Sequence, residues 1–566
     1  MSTIIGFSLG VHDAGVSLIQ GGEIKAAYSE ERFSNHKNKG HIINKSLDML
    51  IKDFKLDLDT VDHFVTSTPL LPNEENIILK KYHNKIQFYP HQYCHGLGAL
   101  IFSGFHAKNN VMVLTLDGGD HNIYNLLYGE YIDKKVLNWL NDTMKDHWWG
   151  KFKNIHNASD GSISVYNSGN LELIKEFNSN LGKLYFFGAT MMIYYYNVTG
   201  TNVEGKLMGL AAQGKYNEHI YRTFRNMCLF NKDTESFEDQ LPNECKTDNW
   251  NHGRILDSIM LSLFQHSKED VAYNLQKYVE DTCVNLIQFY QEKYKCKYIC
   301  LSGGFFTNVK VNQVINERMD FDEVFVMPAM NDEGIALGAA LSKCVELGEY
   351  NFDKPIDNVY LGKEYSSDNI RRFVKTRFMN YHPFSYQHII NELKNGKVVG
   401  IFRGRAEFGP RALGNRSILV DPSDKDTFTR LNAKLHRNDI MSFAPVIMSE
   451  YVDQILDCKK SKHTAEYMTI CYNVKQEWIN KIPAVINKFD NTCRPQILRR
   501  ETNEWLHTLL SKYNDLTGLP LLLNTSFNGH CYPIINSPLQ AWEALRDKLV
   551  DVLVLDNYIV YYDYRK

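Results

Sequence analysis

Two histidines, His91 and His95, stand four residues apart in HQYCH, so on a helix both imidazoles project from one face and can share a metal ion. Two unrelated histidines would give the same spacing, and a shared ion needs a further ligand. Asp332, in PAMNDEGIALGAA, sits just before an apolar helical run, where its carboxylate either faces a cleft or caps that helix. Glycine turns occur at Gly10, at Gly118 and Gly119, and at Gly303 and Gly304, each after a short apolar run. Such turns let backbone N–H groups approach an anion and cradle phosphate oxygens, although any one of them also reads as a plain turn.

A second concentration of chemistry lies in FRGRAEFGPRALGNRS, where Arg403, Arg405, Arg411 and Arg416 fall within fourteen residues with three glycines and a single acid, Glu407. Lys434, Arg437 and Arg494 follow, and a run ending in Asn524, Thr525, Ser526, Phe527 and Asn528 adds amides and hydroxyls. The planar guanidinium fork matches phosphate oxygens, so this grouping points to a multi-phosphate pocket; a solvated face normally mixes signs. An internal ion-pair network is the structural alternative.

The elements that must carry these groups are legible in outline. Ile4 to Leu18 reads as a strand, a glycine-edged turn and a returning strand, and Val111 to Leu116 is a second strand ending in Asp117 and its glycines. Tyr298 to Leu301 repeats the design, with a helix expected from Val309. Two strand hairpins plus a glycine-pair turn opening a helix is the way an actin-like ATPase fold holds its nucleotide. Residues 130–260 show weak periodicity and are expected to be insertions around the site. The polar stretch 351–384 is expected to link residues 1–350 to residues 385–566, where GKVVGIFRG, GLPLLLNTSFN and VDVLVLDNYIVYYD read as strands.

At 566 residues, 44% hydrophobic and 23% charged, the chain is expected to fold into at least two domains. A net charge of -3 excludes a global basic field for polyanions. No leader-like or membrane-spanning run is evident, and eleven cysteines without a CxxC pair suit reduced thiols, so a soluble, cytoplasmic enzyme is expected. A composition rich in lysine, asparagine, isoleucine and tyrosine, with only 15 prolines, suits an AT-rich genome, viral genomes included.

At these residues the chain resembles the NodU/CmcH/TobZ family of O-carbamoyltransferases, through LGVHDAGVSLI, EERFS, HQYCHGLGALIFSGF, EGKLMGLAAQGKY, LSGGFFTNVKVN, NDEGIALGAA, FGPRALGNRSILVDP and NTSFN. The resemblance implies an α/β protein: an N-terminal TsaD-like domain of the actin-like ATPase (ASKHA) type, then a C-terminal YrdC-like α/β domain. It implies that the second domain makes carbamoyl adenylate from carbamoyl phosphate and ATP, with Mg2+ accompanying the ATP. The first domain then transfers the carbamoyl group to an acceptor hydroxyl, on a metabolite or on a hydroxymethylated nucleobase of DNA. By motif, His91, His95 and Asp332 would hold Fe2+ or a similar divalent metal. Asp117, Gly118, Gly303, Gly304 and Asn308 would bind the nucleotide of the adenylate. Arg403, Arg405, Arg411, Lys434, Arg437, Arg494, Asn524 and Ser526 would bind carbamoyl phosphate and ATP. His12 and Asp13 match the family's pair at the transfer site, with His12 a plausible base by its ordinary pKa. No membrane partner is implied, and a homodimer is admitted.

Two stretches depart from the family pattern: Met441 and Ser442 stand where an Arg-Pro is usual, and Cys531 and Tyr532 where a Gly-Glu is usual. Both neighbour the expected activation pocket and bear on nucleotide binding and donor preference. The rival readings are a tRNA threonylcarbamoyladenosine enzyme, which the fused domain order and FGPRALGNRS oppose, and a nucleotide-binding sensor without turnover.

Overall fold

The structure is a computed structural model that describes the chain apart from residues 11, 68–76, 119–158, 179, 199–202, 241–261, 353–355, 357, 378–379, 438–441 and 563–566. Gly119 and Met441 therefore lie outside the described residues.

The first half of the chain builds one sheet plan twice. Strands β1 (Thr3–Ser8), β2 (Gly15–Gln20) and β3 (Glu23–Ser29) form an antiparallel meander, and β4 (His63–Thr66) and β5 (Ile86–Phe88) extend it in parallel, giving the order β3-β2-β1-β4-β5. The second sheet repeats it with β6 (Val111–Leu116), β7 (Gly161–Asn167) and β8 (Asn170–Phe177) antiparallel, while β11 (Tyr298–Ser302) and β12 (Glu323–Val326) run parallel to β6, after a small ribbon of β9 (Leu229–Asn231) and β10 (Ser236–Glu238). Parallel neighbours need a crossover, here helical: Asn44–Phe54 lies between β3 and β4, and Val309–Arg318 between β11 and β12. This duplicated sheet is the actin-like ATPase (ASKHA) architecture. The weak periodicity of residues 130–260 concealed β7, β8 and the helices Leu181–Tyr196, Val203–Ala211 and Glu218–Met227. The first of these helices is apolar nearly all round, so no amphipathic stripe marks it.

Two helices bring the halves together. Helix Ile335–Glu346 lies against β1 and crosses helix His91–Ser103, and a Cβ on Gly338 would come within 2.3 Å of the Cys94 carbonyl oxygen. Only glycine admits that approach, which sets the turn before Ile335 beside the first turn of the histidine helix.

The remainder forms a mixed eight-stranded sheet of order β13-β22-β21-β14-β15-β20-β16-β19. Its strands are β13 (Tyr381–Pro383), β14 (Val399–Phe402), β15 (Arg416–Val420), β16 (Ala444–Met448), β19 (Gln496–Leu498), β20 (Leu521–Ser526), β21 (Val552–Leu555) and β22 (Tyr558–Val560). The ribbon β17 (Tyr472–Asn473) and β18 (Thr492–Cys493) stands apart. The central strands are buried on both faces: Leu521 and Leu523 enter one core and Leu522 the other, which is why LLL reads as an unbroken apolar run. The stretch 351–384 carries helix Ser367–Arg377 and the edge strand β13, paired to β22. Three residues, none of them buried, give no apolar signal.

The second domain covers the open edge of β12. Ser461 and Thr464 hydroxyls accept from the backbone N–H groups of Val324 and Val326 at 2.9 and 2.8 Å, and Lys460 Nζ donates to the carbonyls of Met319 and Phe321 at 2.8 and 2.9 Å. An exposed strand edge is thereby closed by side chains and the domains are joined. No helix among the described residues is long and apolar enough to cross a membrane, and the ten described cysteines are unpaired with one another.

Candidate functional site

His91 opens the helix His91–Ser103 and His95 lies one turn on, so both imidazoles leave the same face. Asp117 follows β6, and Asp332 begins the turn ahead of helix Ile335–Glu346. The four side chains converge. Asp117 Oδ2 lies 3.3 and 3.2 Å from Nε2 of His91 and His95, and Asp332 Oδ1 lies 3.4 and 3.5 Å from the same nitrogens. All four candidate donor atoms fall within 4.8 Å of one another.

The arrangement fits a divalent metal. The contacts are long for charge-assisted hydrogen bonds, and the buried Asp332 Oδ1 makes none. Two imidazole nitrogens and two carboxylate oxygens form a borderline donor set suited to iron, zinc or manganese. The outer contacts orient these ligands: His95 Nδ1 is 3.3 Å from Ser302 Oγ, and Asp117 Oδ1 accepts from the N–H groups of Gly118 and Gly304 at 2.8 and 3.2 Å. Gly303 precedes with φ +98°, and a Cβ there would meet the Leu116 carbonyl oxygen at 2.1 Å, so the turn that reaches Asp117 requires glycine.

Electrostatics of the metal-free cluster follow from the same contacts. Burial alone would lower the His91 pKa, but Asp332 and Asp117 raise it to about 10, and His95 is raised in the same way against its own burial. Burial and the facing Asp332 push Asp117 up, yet the two histidines hold it below the usual carboxylate range; burial likewise opposes Asp332, which His91 and His95 pull well down. A raised histidine pKa contributes stability that is complete below about 6.5 and is lost as pH climbs through the folded value of about 10. A metal must displace those protons. Zinc or iron(II) titrated into metal-free protein is therefore expected to release protons near neutral pH and to bind more tightly at pH 8 than at pH 6. Calorimetry in two buffers of different ionisation enthalpy measures the release, and identical heats in both would contradict it.

The β1–β2 turn delivers the other pair to this place. Asp13 adopts φ 55°, its Oδ2 is 3.1 Å from His12 Nδ1 and accepts from Asn331 Nδ2 at 2.8 Å, one residue from Asp332. Gly10 adjoins the same carboxylate: a Cβ there would lie 3.4 Å from Asp332 Oδ2. The structure also adds a pair that sequence reasoning missed: Asp160, pushed up to about 6 by burial although Lys183 beside it pulls the other way, acts electrostatically on Asp117 and His91. It lies in NASDGS, which reads as an ordinary loop. Asn308, expected at the nucleotide, caps helix Val309–Arg318 and exchanges hydrogen bonds with Gln276 at 2.9 and 3.2 Å.

In the second domain Glu407 organises the arginine loop, its Oε1 accepting from the N–H groups of Leu413, Asn415 and Arg416 at 2.7 to 3.2 Å. The arginines then divide. Arg416 stacks over the Phe402 ring at 3.8 Å and donates to the carbonyls of Arg403, Gly404, Asn415 and Lys363. Arg405 donates to the carbonyls of Leu361, Gly362 and, across the domain boundary, Lys25. Both are engaged by backbone carbonyls, and Arg405 also lines a cavity with Tyr360, Asn415 and Asn503. Arg403 lies over Trp505 at 4.3 Å.

Nε of Arg411 and Arg494 is buried without a hydrogen-bond partner, as is Nε of Arg416, but Arg416 spends its other guanidinium nitrogens on carbonyls. Burial, and then Arg494, drive the Arg411 pKa well below its ordinary value. Two neighbouring guanidinium groups, half-buried and with no acid paired to them among the described residues, leave charge that an anion could offset. Arg437 reaches Thr525 Oγ1 at 3.0 Å, Ser526 Oγ at 3.1 Å and Asn528 Oδ1 at 2.7 Å, holding the end of β20. Asn524 donates to Ala412 O at 3.2 Å and Gln496 Oε1 at 2.7 Å, tying that strand to the arginine loop. Lys434 pairs with Asp551 at 2.7 Å. Of the departures from the family pattern, Tyr532 is exposed and its carbonyl accepts from Asn528 at 2.5 Å, while neighbouring Cys531 takes φ 66°.

Comparison with known proteins agrees with this division. Residues 70–341 match the model of the carbamoyltransferase N-terminus and residues 390–561 that of the carbamoyltransferase C-terminus. An uncharacterised protein of Methanocaldococcus jannaschii is 30% identical over 501 residues, covering 85% of this chain and 75% of its own. Nodulation protein NolNO of Sinorhizobium fredii is 26% identical over 97% of this chain and 79% of its own, and nodulation protein U of the same organism is 30% identical over 58% of each. The two matched models, one on each part of the chain, define a two-domain carbamoyltransferase enzyme. The chain belongs to the carbamoyltransferase family.

Proposed function

We propose that the chain is an ATP-dependent O-carbamoyltransferase working in two half-reactions. In the second domain, water cleaves carbamoyl phosphate to carbamate and phosphate, and a carbamate oxygen then attacks the α-phosphorus of Mg2+-bound ATP, forming carbamoyl adenylate as pyrophosphate leaves. In the first, the acceptor hydroxyl oxygen attacks the carbamoyl carbon, the C–O bond to phosphate breaks and AMP departs. The acceptor is a hydroxyl-bearing metabolite or a hydroxymethylated nucleobase.

The observation that carries this reading is the half-buried pair Arg411 and Arg494, whose buried Nε atoms are unfilled donors in the domain matched to the carbamoyltransferase C-terminus. Arg437 and Ser526 are assigned beside it to the phosphates, with Lys434, Asn524 and Arg403 as further contributors. Asp117, Gly118, Gly303, Gly304 and Asn308 are assigned to the nucleotide side of the transfer site through the turns at the strand ends. His91, His95, Asp332 and also Asp117 would hold a divalent ion, iron or similar, which when bound supplies Lewis-acid polarisation. His12, oriented by Asp13, accepts the acceptor's proton at Nε2, its Nδ1 facing the carboxylate. Enclosure between the domains keeps water from the adenylate.

Phosphate release should require carbamoyl phosphate and ATP together, and mass spectrometry of candidate acceptors should find one added carbamoyl group. No phosphate release with both present, and no carbamoylated product from any acceptor, would favour the sensor reading.

A further inference from the structure

We propose that Lys310, a residue of the first domain, completes the anion pocket of the second and binds the phosphate of the carbamoyl donor together with Arg411 and Arg494; this rests on the activation chemistry proposed above. Lys310 stands in the first turn of helix Val309–Arg318, directly after the turn Gly304–Thr307 whose Gly304 N–H holds Asp117. That end of the helix is pressed into the second domain. Val309 and Met208 pack on Cys471, and Asn312 Nδ2 donates to Thr469 O at 2.7 Å. Lys310 Nζ then reaches across the boundary, 3.0 Å from Asp490 Oδ2 and 3.5 Å from Thr492 Oγ1, with Gln313 Oε1 at 2.7 Å on its own helix.

Thr492 opens β18, and Arg494 lies two residues further along the same segment. Cys471 is the common neighbour. Val309 beside Lys310 packs on it, and the pairing of Tyr472 with Cys493 brings the Arg494 segment alongside; burial pushes the thiol up to about 11, while Lys310, Arg494 and Arg411 each act in the opposite sense. Asp490 acts on the same thiol and Glu280 on Lys310, so among the described residues three cations stand against two acids at this partly exposed seam. The remaining positive charge suits an anion, and the donor's phosphate offers oxygens to both guanidinium and ammonium groups. Burial opposes the Lys310 charge, yet Cys471 and Asp490 raise its pKa above the usual lysine value, so it enters as an ammonium.

A plain interdomain tie would use the same ion pair, and the two roles separate by experiment. In the full-length protein, carbamoyl-phosphate-dependent ATP–pyrophosphate exchange is measured at varied carbamoyl phosphate. Lys310→Met is expected to raise the apparent KM for carbamoyl phosphate about tenfold or more, with Lys310→Arg recovering most of the loss. Asp490→Asn, which removes the competing carboxylate, is expected to leave that KM unchanged or lower. Parallel KM increases in Lys310→Met and Asp490→Asn, with matching falls in melting temperature, would mean that Lys310 only joins the domains, and an unchanged KM in Lys310→Met would equally overturn the proposal. Absence of exchange in the unmutated protein would instead remove the activation reading itself, and this inference with it.

Discussion

Arg411→Ala is expected to reduce carbamoyl-phosphate-dependent ATP–pyrophosphate exchange by about two to three orders of magnitude without lowering the melting temperature. The first half follows from charge: a half-buried guanidinium aimed at a phosphate makes hydrogen bonds worth about 1.5–3 kcal/mol each, and about 1.4 kcal/mol is a tenfold change in rate. The second half follows from its surroundings. Arg411 has no carboxylate partner among the described residues, its Nε is unsatisfied, and Arg494 repels it, so the free protein loses little by truncation and sheds a like-charge contact. Glu407, not Arg411, holds the loop, through the N–H groups of Leu413, Asn415 and Arg416. Exchange at the unmutated rate would remove the loop from the donor site. A fall of many degrees in melting temperature would make Arg411 a structural residue like Arg416.

Replacing His91 and His95 together by alanine is expected to abolish carbamoyl transfer while pyrophosphate exchange stays measurable. The histidines belong to the first domain, and the Arg411 and Arg494 pocket to the second. Truncation leaves the buried Asp332 and the half-buried Asp117 facing each other without their imidazole partners. Their mutual repulsion and desolvation raise one carboxyl pKa, and the group no longer offers a preorganised donor set. Transfer should then slow by several kcal/mol of barrier while the adenylate still forms and is slowly hydrolysed. Metal content of the purified protein should drop from about one equivalent to near zero, a readout independent of turnover. Equal loss of both half-reactions would mean that the histidines support folding or the domain boundary, and the division into two centres would have to be given up.

Much of this was legible in the chain. The β1–β2 hairpin, the strand ending at Leu116 and the strand before Gly303 follow from apolar runs closed by glycine, and the paired strands at the C-terminus from apolar runs about Asp556 and Asn557, because the buried strands of these sheets need little more than that pattern. His91 and His95 were readable as one face, since a helical spacing of four fixes relative direction without tertiary information. The arginine concentration and the end of β20 were likewise local signals.

Tertiary structure decided the rest. Asp332 had two equal local readings, cleft or cap, and only the crossing of helix Ile335–Glu346 over helix His91–Ser103 at Gly338 puts its carboxylate opposite the imidazoles. Asp117 looked like part of a phosphate turn, yet its Oδ2 joins the histidines, because β6 and β11 lie side by side though nearly two hundred residues separate their turns. Among the arginines, composition could not tell which are engaged inside the fold: Arg405 and Arg416 find carbonyls, whereas Arg411 and Arg494 keep a buried Nε without a partner among the described residues. A residue type and its neighbours in sequence set which chemistry a side chain can perform. Whether that capacity is satisfied inside the fold or left open for a substrate depends on partners brought from distant segments, and only the packing of the two domains supplies them.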